Sequence, residues 1–146
     1  MFIDRRRWMS GCLGLACTLL LSACGGSSKS ATVHAVSGTF TVNGKPAANI
    51  IIHFVPAKGR PSTGVTDAKG AFELRYEKDV AGAIPGDHKV WIEYKPSTPA
   101  EEMAIREGKS PLSNDVQTAL QKYGSPAASS LTVKVDGPKK DLKVEM

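Results

Sequence analysis

Apolar residues recur at every second position along several short stretches. Val36, Gly38, Phe40 and Val42 fall on one side of an extended segment, with Ser37, Thr39 and Thr41 on the other. A period of two predicts a half-buried strand. Asn43-Gly44 follows, and both residues tolerate positive φ, so a tight turn is expected there. Ile50, Ile52 and Phe54 alternate with Ile51, His53 and Val55. Apolar side chains on both faces predict a central strand, ended by Pro56. Val65-Thr66 leads into Asp67-Ala68-Lys69-Gly70, where Asp at the first position and Gly at the fourth suit a type I turn. Phe72, Leu74 and Tyr76 alternate beyond it, so residues 63–76 are expected to form a hairpin. Pro85-Gly86 opens a further strand with His88, Val90, Ile92 and Tyr94 on one face. Leu131, Val133 and Val135, then Leu142, Val144 and Met146, predict two closing strands around an Asp136-Gly137-Pro138 turn. Short strands with frequent turns indicate an all-β sandwich.

Residues 96–128 break this rhythm. Thr98-Pro99-Ala100-Glu101 has the form of a capping box with Pro at the first helical position. Gly108 ends that helix. Asn114 to Gln117 repeats the cap pattern, and Gly124 with Pro126 stops the second helix. Two short helices are expected inside one long connection. Connections of this length are uncommon in compact domains and are often functional.

The N-terminal pattern is of another kind. Arg5, Arg6 and Arg7 precede an almost wholly apolar run from Gly11 to Ala23. Its 13 residues would span roughly 20 Å as a helix, short against a bilayer core of about 30 Å. A basic region, a short apolar run and small residues form the layout of a secretory signal peptide. Leu21-Ser22-Ala23-Cys24 resembles the lipobox of bacterial lipoproteins. That resemblance implies cleavage between Ala23 and Cys24 and a diacylglyceryl group on the Cys24 thiol. The alternative is an ordinary signal cut elsewhere. Gly25-Gly26 in place of an Asp leans toward the outer membrane over the inner. Arg5 to Met9 also resembles a loose twin-arginine export motif, with general secretion as the alternative. Residues 24–34, Gly/Ser-rich from Gly25 to Ser30, are expected to form a flexible tether. The domain then occupies residues 35–146.

Processing changes what composition implies. The 146-residue chain has 19 basic and 14 acidic residues, a net charge of +5 and three cysteines. Removing residues 1–23 takes away three arginines, one aspartate and two cysteines. The remaining 123 residues carry 16 basic and 13 acidic side chains, a net charge of +3, and Cys24 alone. The basic residues are scattered without interleaved aromatics, so a nucleic-acid partner is not expected. A single cysteine excludes a disulfide within the mature chain and a multi-cysteine zinc site.

Gly38 to Ala47 resembles the "G-x-V-x-x-x-G-x-P-L" opening of carboxypeptidase regulatory-like domains, and Ile50 to Pro56 resembles their second strand. Thr63 to Leu74 is similar to their "T-D-x-x-G-x-F-x-L" segment, and Ile84 to Val90 to the strand after it. Tyr123-Gly124-Ser125-Pro126 before Leu131-Thr132-Val133 resembles a small lipoprotein subgroup of the planctomycete type. The resemblance implies a prealbumin-like (transthyretin-like, Ig-like) sandwich of seven strands, with the 96–128 connection before the last two. It implies no catalytic residue and no cofactor. Asn43, Gly44, Asp67 and Gly70 match at turn positions and specify fold, which alone gives no function.

Candidate chemistry is sparse. His34, His53 and His88 have no second ligand at close spacing, so no metal site is expected. Asp67 lacks the repeated acids of a calcium loop. Ser62 and Ser97 lack a nucleophile elbow, and Glu101-Glu102 belong to a solvated helix start. Trp91 and Tyr94 are a possible ligand face for a sugar or small molecule. The expected function is a membrane-anchored, non-catalytic binding or scaffolding module of the cell envelope, held by lipid on Cys24. Its expected partner is an envelope protein or polysaccharide. A carbohydrate- or small-ligand-binding module is the alternative, and an enzyme the third reading.

Overall fold

A computed structural model describes residues 32–146. Ala23, Cys24 and the signal peptide lie outside the described residues, as does most of the tether. Ten strands and two helices follow one another: β1 (Val36–Val42), β2 (Lys45–Pro46), β3 (Ile50–Pro56), β4 (Ser62–Val65), β5 (Ala71–Glu73), β6 (Arg75–Glu77), β7 (Val80–Ala81), β8 (Gly86–Tyr94), α1 (Pro99–Arg106), α2 (Asn114–Tyr123), β9 (Thr132–Val135) and β10 (Lys139–Glu145). One sheet has the order β7-β6-β4-β3-β8-β9; in the other, β1 is flanked by β10 on one side and by β2 and β5 on the other.

The two sheets share one core. Phe40 and Val144 from the smaller sheet pack with Ile50, Ile52, Phe54, Val90, Ile92 and Val135 from the larger one. Phe40, Phe54, Ile50, Ile52 and Ile92 are completely buried. The alternation read from β1, β3 and β8 is the alternation of burial along them. β3 lies between β4 and β8, as apolar residues on both its faces require.

Seven strands were expected, and three short additions make ten. β2 and β7 have two residues each. The third comes from residues 63–76, which do not form a simple hairpin. β5 pairs with β1 in the smaller sheet, whereas β6 pairs with β4 in the larger one through Thr63 and Arg75. The chain changes sheets at Leu74, whose side chain is fully buried and whose N–H donates to the Val36 carbonyl. Gly64 permits this crossing, because a Cβ there would stand 2.7 Å from the Glu73 carbonyl oxygen.

The turn before β5 is held by its aspartate. Asp67 Oδ1 accepts from the N–H groups of Lys69 at 2.8 Å and Ala71 at 2.9 Å, and Gly70 has φ 73°. Asp67→Ala leaves both N–H groups without their acceptor. It is expected to lower stability by about 1–2 kcal/mol, read as a lower urea midpoint with an unchanged slope. Asn43 (φ 49°) and Gly44 (φ 74°) turn the chain between β1 and β2, where Val42 faces Lys45.

The helices begin and end where cap chemistry dictates. Thr98 Oγ1 accepts from the Glu101 N–H, and Gly108 follows α1 in the left-handed region. The second cap is Ser113 rather than Asn114; its hydroxyl accepts from the Val116 N–H. Ala119 of α2 is buried, and Val116, Leu120 and Tyr123 pack against the core. α1 buries none of its residues. Among the described residues no helix is long and apolar enough to cross a membrane.

The sandwich has two distinct ends. The chain enters at one, where His34 bridges Ala83 and the Lys139 N–H donates to the Ala35 carbonyl. The helices sit at the other, where Ile50 pairs with Tyr94 and α2 meets β1. Residues 32–146 therefore contain both sheets, the core they enclose and the helical cap.

Candidate functional site

β8 ends at Tyr94, and the helical connection starts immediately after it. Glu101, in the first turn of α1, reaches back toward this strand end. Its Oε2 accepts from the Ser97 N–H at 2.7 Å, the Ser97 hydroxyl at 2.8 Å and the Tyr94 hydroxyl at 3.1 Å. These donors, the Ser97 N–H foremost, hold the Glu101 carboxyl below the usual carboxylate range. Burial, then the neighbouring carboxylate, raises the Tyr94 phenol above its ordinary value. Near neutral pH Glu101 is thus an anion and Tyr94 a donor, and the contact fastens α1 to the sheet.

Between α1, α2 and Tyr94 runs a groove of about 290 Å³. Ile105 of α1, Leu112 of the interhelical loop and Leu120 of α2 line it, with Lys109 and Gln117 at its polar positions. Gln117 is held by its own bond to the Leu112 carbonyl at 2.8 Å. Ile105 remains 40% exposed. A second hollow of about 220 Å³ lies between α2 and the strand ends at Val42 and Met146; its lining includes Asp115 and Lys122.

Trp91 and Tyr94 do not share a face. Tyr94 lies on the core side of β8 and packs against the core. Trp91 lies on the outer side, where it pairs with His53 of β3. The two rings stack with centroids 3.7 Å apart and planes 2° from parallel. One face of the indole is therefore covered by imidazole. His53 Nε2 stands 3.5 Å from Glu93 Oε2, an ion-pair distance rather than a good hydrogen bond. Burial depresses the His53 pKa, and the attraction of Glu93 opposes that only in part.

The depression has a definite sign. The folded protein binds fewer protons at His53 than the unfolded chain, whose imidazole has a pKa of about 6.5. The neutral stacked ring contributes its full stability above that value and loses it as the pH falls through and below it. Wild type is expected to lose stability between about pH 7 and pH 5, and His53→Phe, which keeps a ring over Trp91, to flatten that loss. Urea midpoints at several pH values for both proteins provide the check. Parallel profiles would count against the assignment.

His88 is completely buried, and its Nε2 lies 2.8 Å from the Ile84 carbonyl oxygen. A carbonyl only accepts, so Nε2 carries the proton. Ser62 is also completely buried. Ser129 donates its hydroxyl to the Val90 carbonyl and accepts from the Leu131 N–H at 3.2 Å, which ties the end of the helical connection to β8. His34, His53 and His88 stand on separate elements. Among the described residues no group of three or more His, Cys, Asp or Glu side chains is placed to hold a metal.

No protein-family model, curated protein or solved structure matches this chain.

Two features carry no sequence signal strong enough to find. The His53–Trp91 stack depends on which β3 residue faces β8. The groove depends on how α1 and α2 sit over Tyr94, and Ile105 and Leu112 are otherwise ordinary apolar residues in a polar stretch. The separation of Trp91 from Tyr94, by contrast, follows from spacing: residues three apart on a strand face opposite ways.

Proposed function

We propose that this chain is a lipid-anchored, non-catalytic binding or scaffolding module of the cell envelope. Its sandwich is read as prealbumin-like, of the carboxypeptidase regulatory-like type. The observation that carries the reading is Leu21-Ser22-Ala23-Cys24 at the end of a basic-then-apolar leader. In support, the sequence from Gly25 to Ser30 is rich in Gly and Ser, a composition suited to a spacer between anchor and domain. The ends of the sandwich divide the labour. The anchored end carries the chain entry, and the helical end, with its apolar groove, is directed away from the bilayer and toward envelope partners.

Anchoring is tested on the mature protein. Mass spectrometry of its N-terminal peptide is expected to show cleavage before Cys24 and acylation of that cysteine, and the protein to fractionate with the outer membrane. Cys24→Ser is expected to abolish acylation and processing together. An unmodified Cys24, or cleavage at another bond, would overturn the reading.

A further inference from the structure

We propose that the groove between α1 and α2 binds a single aliphatic chain with an anionic head group. The proposal deepens the binding-module reading by naming a ligand class and a site.

Size and lining set the apolar part. About 290 Å³ lies at the lower edge of the roughly 300–1,000 Å³ typical of small-molecule sites. A slot of that size between Tyr94, Ile105, Leu112 and Leu120 suits one flexible chain better than a fused ring system. The helix beside it needs such a contact. Helices shorter than about 12–15 residues are marginal on their own, and α1 has eight residues, none of them buried. It is held by its Thr98 cap and by Glu101. A chain laid between α1 and α2 would cover Ile105 and supply the apolar packing that α1 lacks.

Charge sets the head. Among the described residues Lys109 is the one formally charged side chain lining the groove, and it is 77% exposed. Its partner is Glu107 at 3.0 Å, itself half exposed. Such solvent-exposed pairs are weak, so the ammonium is free to exchange Glu107 for a ligand carboxylate. Glu101 is occupied by three donors beside Tyr94, so the anionic head belongs at the Lys109 end and the tail toward Tyr94.

The bilayer itself and the protein's own anchor fit less well. The chain enters at the end of the sandwich opposite the groove. From Cys24 to Thr32 an extended tether reaches at most about 29 Å. β1 alone, with seven residues, takes up about 23 Å of the sandwich between those ends. An acyl chain on Cys24 would have to leave the bilayer and double back along the sandwich to reach the groove.

The test uses the chain from residue 24 onward with Cys24→Ser, which keeps both sheets, the core and the helices but carries no covalent lipid. Sodium dodecanoate below its micellar concentration is expected to bind, measured by calorimetry, and to shift the methyl resonances of Ile105 and Leu120. Dodecyltrimethylammonium, with the same tail and the opposite charge, is expected to bind at least about five-fold more weakly. Lys109→Glu should reverse that preference, and Ile105→Asp should weaken dodecanoate. Both residues are exposed, so both variants are expected to keep the circular dichroism of the parent. Absence of shifts at Ile105 and Leu120, or equal affinity for the two head groups, would overturn the proposal. So would self-association that Ile105→Asp abolishes, which would put a second copy in the groove. None of these outcomes bears on the mass of the wild-type N-terminal peptide, so failure here is distinct from failure of anchoring.

Discussion

Gly38→Val is expected to destabilise the domain by about 3 kcal/mol or more, enough to unfold much of the population at physiological temperature. Gly38 sits in β1 opposite Leu142 of β10. A Cβ at this position would overlap the Leu142 carbonyl oxygen and crowd its carbonyl carbon and Cβ. These atoms are mostly backbone and cannot rotate away. Relief requires β1 and β10 to separate, and their pairing runs from Val36–Lys139 to Thr41–Glu145. Separation would also withdraw Phe40 and Val144 from the core. Gly38→Ala already places the offending atom, so it is expected to show most of the effect. Gly137→Ala is the matched control, since a Cβ there meets nothing within 4 Å; it is expected to stay within about 0.5 kcal/mol of wild type. Denaturant titrations of the three variants suffice. A Gly38→Ala protein as stable as Gly137→Ala would mean that the strand pair is looser than its register implies.

Phe54→Ala is expected to cost about 3–5 kcal/mol. Phe54 is completely buried on the central strand of the larger sheet, paired with Ser62 on one side and Val90 on the other. Its ring lies 5.9 Å from that of His88, tilted by 50°. Truncation removes the largest apolar contact at that level and leaves a cavity beside a buried imidazole. The flanking strands β4 and β8 are each hydrogen-bonded to β3 and cannot collapse inward to fill it. Domains of this size have about 5–15 kcal/mol in total, so the variant should melt far below wild type while retaining two-state behaviour. Phe54→Leu, which retains most of the volume, is expected to lose less than half as much. Equal losses for the two variants would show that the aromatic contact with His88, and not the filled volume, sustains this part of the core.

Both positions show what the sequence could and could not disclose. Phe54 was legible in part: its alternation with His53 and Val55 places it on one face of a central strand with Ile50 and Ile52, and Pro56 marks the end. The faces of β1 and β8 follow in the same way, because a period of two is a local property. Gly38 was visible as a glycine in a recurrent pattern, but the neighbour that forbids a side chain there comes from more than a hundred residues later. The division of residues 71–77 between two sheets is likewise a tertiary event. Alternation through Phe72, Leu74 and Tyr76 continues unbroken whether or not the strand changes partners at Leu74. Among the candidate site residues, the turns at Asn43-Gly44 and Asp67–Gly70 were local and readable. The groove was not, since it exists only once Tyr94, Ile105, Leu112 and Leu120 are brought together.

The pairing of β1 with β10 also dictates an order of events. Ser37 and Lys140, joined across this pair by a hydrogen bond, are 103 residues apart in the chain. Loops of that length close slowly, and folds dominated by such contacts form late and as a whole. Until the last dozen residues are available, β1 has β2 and β5 on one side and an open edge on the other. An open, alternating strand is a template for pairing with other chains. The strand that finally covers it carries Lys139, Lys140, Asp141 and Lys143, so the closed sandwich presents a charged outer edge where the unfinished one presents a bare one. Truncation from the C-terminal end should therefore be felt first as aggregation during synthesis, before it is felt as loss of any binding surface.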